Sequence, residues 1–415
     1  MLNSYWKTVL SVFTGSAIAQ VIPVLGALLI ARQFGPGQFG LFSAWLGIVI
    51  ILSTALTGRL EVSLALERDG RFRNAAAFAV LATTLLAAIL VVLVLGLVHV
   101  LTGYNYFDSL MLLLVLVPCA TLFALNQAWQ SWAAAEGRFR QLNMMRVAQS
   151  IFVVVLQIAA GFIWPTATAL AVSYVLGLLL AQAYGMWLLP VSMAWIRRWR
   201  PLMQAYARRH RKFLAYSLPA DFINALAIQL PVMIVAYRFG AESAGYLALV
   251  IRVLGLPLSF LGKAVLDVFK RQASMAFRER GECRHEYVRT FWVLGAGSVI
   301  FAIGAYFLSE PVFAIAFGEE WRPAGLMSVL LVPMFTLRFI ASPLSYVIYI
   351  FNKQQVDLIW QICLLAMTYG VLSYVGTESA AILIYSVSYA LLYVVYLAIS
   401  YRYSCGESHK QRASL

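Results

Sequence analysis

The sequence predicts an all-α membrane protein with twelve transmembrane helices in two six-helix bundles. Three observations predict it. About a dozen apolar runs fill most of the 415 residues, and each is long enough to cross a hydrocarbon core, which takes roughly 20 residues of helix. The basic residues alternate: 26 of the 31 Lys and Arg fall in every second gap. Arg32, Arg238 and Arg322 fall in the other gaps, and Arg252 and Arg338 lie inside segments. The two halves also share a motif at a fixed offset, as set out below.

Taken in order, the segments fall at roughly 8–32, 39–63, 75–101, 109–134, 145–164, 167–191, 214–238, 244–269, 289–309, 323–351, 355–374 and 377–401. The second gap carries Arg59, Arg68, Arg71 and Arg73, and the fourth carries Arg138, Arg140 and Arg146. The sixth holds Arg197, Arg198, Arg200, Arg208, Arg209, Arg211 and Lys212. The eighth runs from Lys263 to Arg289, and Lys353 and Arg402 continue the alternation. Lys and Arg concentrate in cytoplasmic loops. Both ends are therefore expected in the cytoplasm of a bacterial inner (plasma) membrane, with Met1–Lys7 leading into a full-length span and no cleavage site. The expected organisation is an N-terminal bundle at 1–195, a basic interfacial linker at 196–213, a second bundle at 214–401 and a cytoplasmic tail at 402–415. In the linker, Trp195, Trp199 and Tyr206 among arginines predict a helix lying in the inner interface.

The halves look related. Leu28-Leu29-Ile30-Ala31 is similar to Met233-Ile234-Val235-Ala236, and Phe34-Gly35 with Gly40 matches Phe239-Gly240 with Gly245, at the same offset of 205 residues. An even number of spans in each half makes such repeats parallel, related by a pseudo-two-fold axis along the membrane normal. Transporters bind substrate between repeats of this kind.

Composition excludes a soluble domain: 62% of residues are hydrophobic and only 12% charged, against roughly 25% charged in soluble proteins. The net charge of +14 sits in short loops without a nucleic-acid-binding fold. Anionic lipid of the inner leaflet, and no nucleic acid, is the partner it implies. Cys119, Cys283, Cys363 and Cys405 lack ligand spacing and the four histidines are scattered, so neither metal, disulfide nor other cofactor is expected. Paired carboxylates, nucleophile constellations and Walker-type loops are missing from the sequence, and the reading is that the chain is not an enzyme.

Several stretches resemble the O-antigen and polysaccharide flippases of the multidrug/oligosaccharidyl-lipid/polysaccharide exporter superfamily. They are Ala31-Arg32-Gln33-Phe34-Gly35-Pro36-Gly37-Gln38-Phe39-Gly40, then Gly58-Arg59-Leu60-Glu61, then Arg252-Val253-Leu254-Gly255-Leu256-Pro257, and Phe317-Gly318-Glu319-Glu320-Trp321. The resemblance covers the whole chain in span count and spacing. It implies a V-shaped central cavity and a polyprenyl-diphosphate-linked oligosaccharide as substrate, moved outward by alternating access. It also implies polysaccharide-assembly proteins such as a polymerase as partners. Lipid II flippases of the superfamily have fourteen spans, which argues against a peptidoglycan role.

Charge inside a span is costly and functional by default. Arg252, Ser259, Lys263 and Lys270 share a helical face, at about 100° per residue, and Asp267 stands four residues after Lys263 for pairing. Lys263 and Lys270 also fit the positive rim of the inner face. Arg338 lies mid-segment with Ser342, Ser345 and Tyr349 on its face. Arg252, Arg338, Arg59, Lys263 and Ser342 are the candidates for substrate binding. Glu61, Asp221 and Asp267 are the candidates for a gate or for ion coupling. Asp221 follows Pro219 in a helix that Pro231 also interrupts, a pattern that resembles a broken-helix ion site, although an interfacial acid reads the same way. Arg59 and Glu61 stand at a helix end, where snorkelling is cheap. The gate reading for them rests on the resemblance. Gln20, Asn126 and Gln130 are weaker polar candidates, since such residues more often join helices. Two other functions compete. A cation-coupled drug exporter is expected to need deep carboxylates, and a glycan polymerase or ligase a sizeable outer loop.

Overall fold

In the computed structural model, residues 2–67, 70–102, 110–190, 199–351 and 353–406 are described. Their side chains are described from residue 18 onward, apart from 99–100, 102, 110, 259, 263–264, 267 and 354. Among the described residues there is no strand, as the segment pattern predicts. The helices run α1 (Leu2–Leu56), α2 (Arg71–Thr102), α3 (Leu110–Ala135), α4 (Phe139–Ile163), α5 (Ala167–Leu188) and α6 (Trp199–Arg209). They continue as α7 (Leu218–Phe239), α8 (Ala241–Arg280), α9 (Arg284–Phe317), α10 (Arg322–Leu344), α11 (Tyr346–Ile350), α12 (Gln354–Tyr374) and α13 (Glu378–Ser404).

Eleven stretches among the described residues are long and apolar enough to cross a membrane. One of them, Ile18–Leu56, is 39 residues long, about twice the length that a bilayer needs. It breaks at Gly35, whose φ of 66° and ψ of 168° are not helical. Glycine tolerates that conformation because it has no Cβ. The break divides α1 into limbs 2–34 and 36–56, which makes twelve spans among the described residues. Gly240, the repeat partner of Gly35, joins α7 to α8 at φ 94° and ψ 168°. The two glycines matched in the sequence thus make the same backbone turn.

Two helices outrun their apolar segments. α8 extends to Arg280 and α9 begins at Arg284, beyond the expected 244–269 and 289–309. Hydropathy sees only the membrane-length core. The Gln, Ala, Met, Arg and Glu residues that follow are good helix formers and carry the helix on. The tenth segment is not one helix: α10 stops at Leu344 and the short α11 follows Ser345. Pro343 supplies no backbone donor in that last turn.

Packing divides the chain into two compact units, Met1–Gln229 and Leu230–Leu415, whereas the sequence places the divide at 196–213. The beginning of α7 accounts for the difference. A Cβ on Gly58 would lie 2.6 Å from Leu214, so the π-helical turn Phe213–Ser217 packs on the end of α1. In the first unit a core gathers Leu60, Leu64, Val80, Trp129, Trp132, Leu142 and Tyr206. In the second, Phe269, Tyr287, Leu294, Phe339, Leu344 and Val347 form another. Large apolar side chains such as Phe162, Ile163, Ile300 and Phe307 are exposed, on a scale that a surface in water does not carry and that lipid covers.

Candidate functional site

The first unit holds a charged node that unites three residues singled out in the sequence. Arg59 Nε lies 2.6 Å from Asp221 Oδ2, and Arg59 Nη1 lies 3.3 Å from Glu61 Oε1. Gly58 and Arg59 both have φ of 58°, and Arg59 is the only non-glycine residue at positive φ among the described residues. A residue with a Cβ pays about 1–2 kcal/mol for that conformation, and such strain persists where surroundings over-determine it. Here the Arg59 N–H donates to Thr57 Oγ1 at 3.3 Å, while the guanidinium is held by two carboxylates from different elements. Glu61 is 1% exposed and its Oε2 has no hydrogen-bond partner. One guanidinium therefore faces two carboxylates, one of them buried with an open acceptor.

Beside this node, α6 docks through its buried face. Tyr206 Oη and Ser63 Oγ are 2.7 Å apart. His210 Nε2 meets Glu67 Oε1 at 2.7 Å, and Arg209 Nη1 meets Glu67 Oε2 at 3.3 Å. Burial pushes the Tyr206 hydroxyl up to about 12, so it stays protonated and available as a donor. The opposite face of α6 is exposed and carries Arg200 and Arg208.

In the second unit, Arg338 sits partly buried on α10 within electrostatic reach of Tyr385, Tyr389 and Tyr393 on α13. These tyrosines recur every four residues and so share one face of a helix. Their rings continue in contact, with centroids 5.6 Å apart for Tyr385 and Tyr389 and 5.1 Å for Tyr389 and Tyr393. Trp360 follows at 5.1 Å from Tyr393 and stacks on Tyr396 at 4.5 Å. The ladder ends at Asp357, which accepts from Tyr396, from Tyr349 Oη at 3.0 Å and from Gln361 Nε2 at 2.8 Å. Arg338 thus heads a stripe of phenol hydroxyls that leads to a carboxylate.

Of the other predicted residues, Arg252 is partly buried on α8, which packs against α10. Ser342 is exposed on the last turn of α10, and its carbonyl accepts from Ser345 Oγ at 2.8 Å. The side chains of Lys263, Asp267 and Ser259 lie outside the described residues. Asn126 donates to the Leu178 carbonyl at 3.1 Å, and Gln130 Nε2 to Gln149 Oε1 at 2.8 Å. Both join helices. Sequence reasoning missed Asp357, the tyrosine ladder and the Glu67–His210 pair. The ladder was available as Tyr385, Tyr389, Tyr393 and Tyr396 at helical spacing. Glu67 carries no local signal, because its partners Arg209 and His210 come from a distant helix end, and Asp357 is joined to the ladder through Tyr396, 39 residues on.

Twelve apolar spans with charge set into them define a multi-pass membrane protein. The chain belongs to the polysaccharide biosynthesis protein family, whose model matches residues 29–325, and the resemblance read from the motifs is borne out. It is 25% identical over 365 residues to the Shigella flexneri protein named "Putative O-antigen transporter", covering 83% of each chain. It is 20% identical over 300 residues to the teichuronic acid biosynthesis protein TuaB of Bacillus subtilis (strain 168), covering 71% of this chain and 61% of that one. An inward-facing multidrug resistance MATE family transporter of the MOP superfamily matches with a TM-score of 0.69 and 13% identity, over 93% of this chain and 94% of its own. The lipid II flippase MurJ, inward closed, matches at 0.68 and 12%, over 94% and 87%. These two likenesses establish a shared fold.

Proposed function

We propose that the protein is a flippase for a polyprenyl-diphosphate-linked oligosaccharide, an O-antigen, capsule or exopolysaccharide repeat unit, moved from the inner to the outer leaflet by alternating access. The observation that carries this reading is Arg338, a cation set within a membrane helix, with Tyr385, Tyr389 and Tyr393 within its electrostatic reach. A diphosphate does not enter hydrocarbon unpaired, and a guanidinium binds phosphate oxygens bidentately. Arg252, partly buried on α8, is the second cation within a span, with Lys263, Arg59 and Ser342 completing the proposed binding set. Glu61 and Asp221 are proposed as a gate that Arg59 holds closed, and Asp267 as a further candidate for ion coupling.

Orientation follows the basic gaps: both termini are proposed to lie in the cytoplasm of a bacterial inner membrane. Inside-negative potential then favours outward movement of an anionic headgroup. Two charges crossing ~100 mV gain about 5 kcal/mol, at ~2.3 kcal/mol per charge. A drug exporter of the same fold is disfavoured, because the cations of α8 and α10 repel cationic drugs. The residue-level test is flipping by Arg252→Ala and Arg338→Ala at normal membrane levels, with Arg→Lys beside each. Loss in Ala and partial function in Lys, which keeps charge without the planar fork, supports the reading. Wild-type rates in both Ala variants overturn it.

A further inference from the structure

The first unit carries an apolar groove of about 550 Å³ that the transport reading does not use. Leu81, Leu85 and Ile89 of α2 form one wall, and Trp129, Met186 and Trp199 face them. Leu85 and Ile89 are 49% and 57% exposed, so the groove opens sideways into the membrane. Its floor is closed. Trp129 is 6% exposed, its Nε1 donates to the Leu189 carbonyl at 3.1 Å, and behind it lies the packed core with Val80, Leu142 and Met145.

The mouth differs in character. Trp199 begins α6, and the Arg200 guanidinium stands 5.2 Å from its ring, a cation–π contact. Arg200 is exposed, as are Arg208, Arg211 and Lys212 further along. The side chains of α6 include no acid. A long apolar slot that ends in aromatic rings and exposed cations at a membrane edge fits one chemistry, an acyl chain below an anionic headgroup. A transported headgroup would meet only Trp129 and the core behind it, so the occupant is resident.

We infer that this groove binds one anionic diacyl phospholipid, with an acyl chain along α2 and its phosphate on Arg200. The lipid then braces α6 against α2 independently of transport.

Native mass spectrometry of the delipidated full-length protein, titrated with dioleoyl phosphatidylglycerol or dioleoyl phosphatidylcholine, tests this. One phosphatidylglycerol is expected to be retained at least about tenfold more strongly than phosphatidylcholine, a difference of the size one good charge contact makes. Ala82→Trp, which fills the groove, is expected to remove that retention. Arg200→Gln is expected to abolish the headgroup preference and Arg200→Lys to keep part of it. If Ala82→Trp does not give monodisperse protein, the two Arg200 variants at their exposed position decide alone. Equal retention of the two lipids, or no change in the Arg200→Gln variant, overturns the inference. So does a polyprenyl phosphate that displaces phosphatidylglycerol and is not displaced by it, since the slot then belongs to a prenyl tail.

Discussion

Arg59 Nε lies 2.6 Å from Asp221 Oδ2, tying the end of α1 to the first turn of α7. The same guanidinium is the counter-charge of Glu61, which is 1% exposed. Removing one member of a buried pair strands the other, at about 3–5 kcal/mol for a fully buried pair. The 22% exposure of Arg59 places this node toward the lower end. Arg59→Ala is therefore expected to lower the melting temperature of the purified protein, and adding Glu61→Gln to restore most of the loss. An Arg59→Ala variant that melts like the wild type would show that the node holds nothing.

The docking of α6 gives a second prediction. Tyr206→Phe with His210→Ala removes the Tyr206 contact to Ser63 and the His210 contact to Glu67, leaving Arg209 on Glu67. A hydrogen bond to a charged group contributes roughly 1.5–3 kcal/mol. Local opening of α6 should become about tenfold or more frequent, since ~1.4 kcal/mol is a factor of ten. Limited trypsin digestion reads this as faster cleavage after Arg208, which is exposed but held in a helix. Unchanged cleavage at that site would mean that α6 is retained by other contacts.

Most of the fold was legible in the sequence because a bilayer imposes a length on every helix and a sign on every second loop. Twelve spans follow from that constraint, and the paired turns at Gly35 and Gly240 follow from the repeat between the halves. Helix ends beyond the membrane were not legible, since α8 runs on to Arg280 through residues that hydropathy treats as loop. The break at Ser345 was also hidden inside one apolar run. At the site, Arg59, Glu61 and Arg338 stood out as charges in apolar context. That Asp221 meets Arg59 depends on how the π-helical turn Phe213–Ser217 delivers α7, and a one-dimensional pattern does not carry such a contact. Asp357 looked like an ordinary first-turn acid until Tyr349, Tyr396 and Gln361 were found around it.

Helix packing in the first unit rests on small residues, and Gly177 is the sharpest instance. A Cβ there would stand 2.7 Å from the Cα of Val153, so α4 and α5 approach each other backbone to backbone. Gly177→Val is expected to destabilise the protein by at least about 1–3 kcal/mol, the usual cost of overpacking, and to lower its yield from membranes. Gly37→Ala, with nothing within 4 Å of its added Cβ, is the matched control and should behave like the wild type. Equal yields and melting temperatures for both variants would contradict the close approach.

The orientation proposed from the basic gaps is open to direct mapping. Reporter fusions after Arg73, Arg146, Lys212, Arg284 and Lys353 should report the cytoplasm. Fusions near Tyr104, Thr166, Glu242 and Thr377 should report the outer side. One reproducible inversion in the series would break the twelve-span alternation.

The central claim is that this protein carries a lipid-linked glycan across the membrane, and translocation by the purified protein in liposomes measures it most directly. A defined polyprenyl-diphosphate oligosaccharide would be incorporated on one leaflet and its appearance on the other followed, with and without an imposed potential. The account predicts protein-dependent translocation that accelerates when the potential is negative on the side of departure, and that stops in the Arg252→Ala and Arg338→Ala variants. Translocation no faster than in protein-free liposomes, under either potential and with wild-type protein that is folded and correctly inserted, would contradict it.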